Sequence, residues 1–116
     1  MAGGRVSPYD RRTHSRFRNV LACEISCGRL TARGRLLDAS LGGLLVSSSQ
    51  GCSEGNDITV AVEIPGSDTT VSVSGCVIRV ARLPSPSENA YWHGVRLTRV
   101  TPESLTIVKA MAGIEN

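Results

Sequence analysis

Apolar residues recur at every second position through most of the chain, the spacing of strands with one buried face. Leu21, Cys23 and Ile25 alternate with polar neighbours before Ser26-Cys27-Gly28 makes a turn. Leu30, Ala32, Gly34 and Leu36 alternate with Thr31, Arg33 and Arg35, a half-buried strand with a polar outer face. The stretch Asp38 to Gly43 has turn chemistry, Leu44 to Val46 resumes a short strand, and 47–56 reads as a polar loop. Ile58, Val60, Val62 and Ile64 give the cleanest strand, closed by the turn Pro65-Gly66-Ser67-Asp68. Val71 and Val73 then alternate, and the apolar phase slips at Gly75 to Cys76, Ile78 and Val80, which predicts a bulge or a barrel corner at that glycine. Residues 83–89 are a Pro- and Ser-rich loop, and Tyr91, His93, Val95 and Leu97 form the last strand. The period changes at the end. Thr101 is placed to cap a helix, Pro102 to open it, and Glu103 to sit in its first turn. Leu105, Val108 and Met111 or Ala112 lie at helical spacing, and Gly113 can stop the helix, which is expected over 101–113.

Six short strands and one terminal helix predict a mainly β protein: a small six-stranded antiparallel β-barrel, closed to remove sheet edges, with a C-terminal α-helix packed on it. A chain of 116 residues is one domain's length and can bury a core without staples. The expected organisation is a flexible tail over residues 1–10 and a single domain over 11–113. No apolar run is long enough for a membrane helix, and the first ten residues lack the apolar centre of a secretory signal, so a cytoplasmic protein with no membrane insertion is expected. The four cysteines form no CxxC, and Cys23 and Cys27 are about 13 Å apart on an extended strand, too far for a disulfide. Reduced thiols are expected, with Cys23 and Cys76 filling the core and Cys52 exposed in its polar loop. His14 and His93 join them in no familiar zinc spacing.

Charge then singles out the N-terminal third. Residues 1–37 carry eight arginines against Asp10 and Glu24, a net +6, while the remainder is net −3. Twelve of the thirteen basic residues are Arg, whose planar fork matches phosphate oxygens and the O6/N7 edge of guanine. Two motifs concentrate the chemistry. Arg12-x-x-x-Arg16, preceded by Arg11, can neutralise phosphates and grip a guanine edge. Asp38-x-Ser40-x-x-Gly43 offers a carboxylate to accept from the N1–H and N2–H₂ of guanine, a rotatable hydroxyl, and a glycine that permits close approach. Asp38 and Ser40 can also simply cap a tight turn, and the arginines can be a solvated basic segment.

Together, in this order and strand context, the two motifs resemble the signature of the PilZ-domain family of bacterial cyclic di-GMP receptors, which is RxxxR followed by [D/N]xSxxG on a barrel. Gly75 to Val80 and His93-Gly94-Val95-Arg96-Leu97 are similar to later strands of the family, with Leu97 where Phe is common. The resemblance covers roughly residues 11–112. It implies that residues 11–18 are an arginine-rich ligand-binding arm and that Arg11, Arg12, Arg16, Asp38, Ser40 and Gly43 contact cyclic di-GMP. It places Arg79 on a strand where members often carry a ligand-facing Arg or aromatic, so Arg79 is either a ligand contact or an exposed strand residue. Trp92 is read as a packing residue, with stacking on guanine the alternative. Arg at position 11 tends to accompany capture of two intercalated dinucleotides per chain.

The implied function is a cyclic di-GMP receptor that orders its arginine arm on the ligand and signals to an unidentified protein partner. No cofactor is implied, no metal, and no catalytic residue, since no nucleophile–base pair, metal set or carboxylate pair can be assembled. The alternative is a scaffold of the same fold that works by protein–protein contacts in pilus assembly or motility without nucleotide. A barrel binding single-stranded nucleic acid is disfavoured, because aromatics make up 3% of the chain and such barrels stack bases on aromatic side chains.

Overall fold

The computed structural model describes residues 20–84 and 90–113. Six strands run in chain order: β1 (Leu21–Cys27), β2 (Leu30–Ala39), β3 (Gly43–Ser48), β4 (Asp57–Glu63), β5 (Thr70–Arg82) and β6 (Tyr91–Leu97), followed by α1 (Pro102–Ala112). All pairings are antiparallel, and the order β1-β2-β3-β6-β5-β4 closes on itself through β1 and β4, giving the expected six-stranded barrel. The tail over 1–10 and the arm over 11–18 lie outside the described residues.

The alternation sets the core. Leu21, Cys23, Ile25 and Cys27 of β1 and Ile58, Val60 and Val62 of β4 point inward, together with Leu36, Val46, Val77, Val95 and Leu97. Each such side chain contributes about 1.5–3 kcal/mol by leaving water. Gly75 does not slip the phase as the pattern predicted. Val71, Val73, Gly75 and Val77 all face inward, and Gly75 marks a crowded approach of β5 to β6, where an added Cβ would fall 2.4 Å from the Arg96 carbonyl oxygen. The slip comes later: Val77 pairs with Val95 but Arg79 with Gly94, so Ile78 is the extra residue of a bulge and Val80 is the next to pack on the core. β2 has a second bulge. Leu36 pairs with Val46 but Asp38 with Leu45, leaving Leu37 as the extra residue.

Cys52 is buried, not exposed, and Cys76 is half-exposed, not core filler. Both departures have local causes. Cys76 stands on the outward phase of β5, and the loop after β3 folds back over the barrel end, where the Cys52 N–H donates to His93 Nε2 at 3.0 Å. His93 is fully buried, and its Nδ1 lies 3.2 Å from the Val46 carbonyl oxygen. The ring is therefore neutral, with the proton on Nδ1, and it ties β6 to β3 and to that loop. Burial pushes its pKa below the ordinary value, only partly offset by the Val46 carbonyl. Burial also raises the Cys23 thiol to about 12, helped by the Glu63 carboxylate and opposed by Arg33. It raises Cys52 to about 12 as well, helped by the adjacent Cys27 thiol. Thiols so protonated are poor nucleophiles.

The helix has its expected caps. The Thr101 hydroxyl accepts from the Ser104 N–H, the Ser104 hydroxyl accepts from the Thr101 N–H, and Gly113 ends the helix in a left-handed conformation. Its buried face is Ser104, Ile107 and Met111, with Val108 half-buried at its border and Leu105 exposed. Ser104 is held inward by its role in the cap, which turns Leu105 out to solvent. The helix packs on β5 and β2.

Candidate ligand-binding site

The two bulges decide what the outer surface carries. On β2 the inward residues are Ala32, Gly34 and Leu36, so an unbroken ladder would turn Asp38 into the core. On β5 they run from Val71 to Val77, so Arg79 would turn inward too. A buried unpaired charge costs several kcal/mol. One extra residue on each strand reverses the phase, and Asp38 and Arg79 both face outward. They fall on one row across four adjacent strands: Asp38 pairs with Leu45, Leu45 with Gly94, and Gly94 with Arg79. At the usual strand spacing the row is about 14 Å long.

A groove of 410 Å³ lies over this wall. Its β2–β3 end is made by Asp38, Ser40 and Gly43. Leu45 and the half-exposed Ile78 supply apolar sides, and Arg96, paired with Gly43, borders the groove on the β6 side. The Ser40 N–H and hydroxyl both donate to the Gly43 carbonyl, at 2.8 and 3.4 Å, and the Ala39 N–H donates to the Asp38 carboxylate at 2.9 Å. The motif thus closes its own tight turn, and that turn is sewn to β6 by the Leu97 N–H donating to the Gly42 carbonyl at 3.0 Å. Gly43 is needed for closeness: an added Cβ would fall 2.7 Å from the Val95 carbonyl oxygen. Chemically, the groove offers a carboxylate and a hydroxyl from the β2–β3 side, apolar sides for a flat ring, and a guanidinium from β6. That is a binding set for a planar group with donors at one edge and negative charge beyond it. Among the described residues no group of three or more His, Cys, Asp or Glu side chains could hold a metal ion.

The amino-acid sequence matches the model of the PilZ domain over residues 10–112. The chain belongs to the PilZ-domain family. PilZ domains in general bind cyclic di-GMP and are binding domains, not enzymes. Among solved structures, this PilZ domain resembles the PilZ domain of CeSA from a cellulose-synthesizing bacterium, with a TM-score of 0.58 and 15% identity over 84% of this chain and 94% of that one. It also resembles the Bacillus subtilis inhibitor of motility MotI/DgrA, with a TM-score of 0.58 and 16% identity over 78% of this chain but 44% of that one. At these identities the likeness is one of fold. No curated protein matches.

Of the residues expected at the PilZ site, Asp38, Ser40 and Gly43 come together along the groove. Arg79 shares the row of Asp38 but does not line the groove, and is exposed beside Gly94. Arg11, Arg12 and Arg16 lie outside the described residues. Arg96 was not among the expected residues, although Val95 and Leu97 on either side are plainly inward. An outward Arg between two core residues looks like any solvated strand position until the turn from β2 to β3 is placed beside it. Among the described residues, no helix is long and apolar enough to cross a membrane.

Proposed function

We propose that this PilZ protein is a receptor for cyclic di-GMP, with no catalytic activity of its own. The observation that carries the reading is the convergence of Asp38, Ser40 and Gly43 on one outward groove with apolar sides. Asp38 accepts from the N1–H and N2–H₂ edge of a guanine, and Ser40 adds a hydroxyl beside it. Arg12 and Arg16 neutralise phosphates and grip the O6/N7 edge. A segment this rich in like charge gains little from folding alone, so the arm orders over the barrel when the dianionic ligand arrives and then presents a new surface to a protein partner in the cytoplasm. Arg11 supplies the further charge and fork needed to hold a second, intercalated dinucleotide, giving two ligands per chain.

Calorimetric titration with cyclic di-GMP, with GTP and cyclic di-AMP as controls, tests the reading. Binding of cyclic di-GMP alone is expected, at two per chain, falling towards one in Arg11→Leu. Arg12→Ala and Arg16→Ala should each weaken it about tenfold or more. No preference for cyclic di-GMP over the controls would overturn the receptor reading and leave the motility or pilus scaffold. An endpoint of one, unchanged in Arg11→Leu, would overturn the stoichiometry alone. NMR relaxation showing residues 11–18 equally rigid with and without nucleotide would overturn the arm mechanism.

A further inference from the structure

We infer that Arg96 is the barrel's own anion contact, holding a phosphate of the dinucleotide from the β6 side of the groove. The inference rests on the receptor reading above and adds a residue that neither signature motif contains. Arg96 is the only cation among the described residues lining the groove. It stands diagonally from Asp38, two strands across and two residues along, roughly 10 Å by 7 Å at standard sheet spacings, and directly opposite Gly43. A guanine edge held at Asp38, with its ring between Leu45 and Ile78, therefore extends its sugar and phosphate towards β6.

The neighbourhood leaves this guanidinium to the groove. Its partners on the adjacent strands are Gly43, which has no side chain, and Cys76, which has no charge. Among the described residues Arg96 makes no salt bridge. Its backbone is paired on both sides, so only the side chain must be ordered when ligand binds. Arg96 thus supplies a positive point on the barrel itself, on which the phosphate settles.

Calorimetry on the full chain tests this with Arg96→Gln, Arg96→Lys, and Arg99→Gln as a control that removes the same charge from an exposed residue beyond the end of β6. Arg96→Gln should weaken cyclic di-GMP binding about tenfold and flatten its salt dependence, with an unchanged melting temperature. Arg96→Lys should recover part of the affinity and all of the salt dependence, as expected of a phosphate contact. Wild-type affinity and salt dependence in Arg96→Gln, or an equal loss in Arg99→Gln, would overturn the inference while leaving the receptor reading standing. A wild-type chain that binds no cyclic di-GMP would overturn both.

Discussion

Along β1 and β4 each residue pairs with the next strand without a break, from Cys23 against Val62 to Ser26 against Thr59. Across β2, β3, β6 and β5 the ladders skip a residue twice, at Leu37 and at Ile78. The regular wall keeps its large apolar residues inward throughout, and its outer face carries small or polar side chains such as Ala22, Glu24 and Thr59. The bulged wall obeys the same rule up to each bulge and then inverts it, which puts a carboxylate and a guanidinium outside while Ala39 and Val80 return to the core. A recognition surface has been fitted to the barrel by two local insertions, with no change to the closure of the sheet.

This contrast predicts that damage to the two walls separates stability from binding. The largest effect is expected on the regular wall. Ile25→Ala removes a fully buried side chain and should cost about 2–5 kcal/mol in urea unfolding, while folded molecules bind cyclic di-GMP as before. An affinity loss of comparable size would show that the walls are not separable. Next, Asp38→Ala on the bulged wall should cost about 1.5–3 kcal/mol of binding by calorimetry, with unfolding changed by less than about 0.5 kcal/mol. A large fall in stability would mean that Asp38 serves the turn alone.

His93 joins the walls' shared interior to the loop after β3, and its effect depends on pH. Because burial depresses its pKa, the unfolded chain takes up a proton below about pH 6.5 more readily than the folded chain does. The His93 contribution should therefore be constant above that pH and shrink as pH falls through the window below it. Protonation would also turn Nε2 from acceptor to donor against the Cys52 N–H. Denaturation curves from pH 5 to 8 should show this slope in the wild type and lose it in His93→Gln; an equal slope in both would place the titration elsewhere. The smallest effect is expected at the exposed pair of Arg33 and Glu63, 3.7 Å apart, where Arg33→Ala should change stability by less than about 0.5 kcal/mol and leave binding untouched.

The regular wall was also the legible one. Strict alternation placed Ile58 to Val62 correctly, as it did Tyr91 to Leu97, the stretch of the other wall that carries no extra residue, and the Thr101-Pro102 and Gly113 signals bounded the helix. The bulges were not legible in the same way. Leu36-Leu37 reads equally well as a strand end or as a strand with one residue too many, and only pairing with β3 decides which. The slip on β5 was visible, but Gly75 drew it three residues too early, because glycine marks both bulges and close approaches. The burial of Cys52 and the outward turn of Leu105 depend on contacts far away in the chain or on a cap, which a periodic pattern does not carry. Asp38, Ser40 and Gly43 were readable because one turn holds all three; Arg96 was not, because it reaches the groove from a strand more than fifty residues later.

The closed barrel has a consequence for how such a protein can diversify. The core residues of β3, β5 and β6 point inward, and the polar and apolar contacts that the groove offers a ligand come largely from outward side chains. Exchange of Ile78, Arg79 or Arg96 alters no core contact and opens no sheet edge. Substitutions at these positions therefore change what the groove recognises separately from what holds the barrel together.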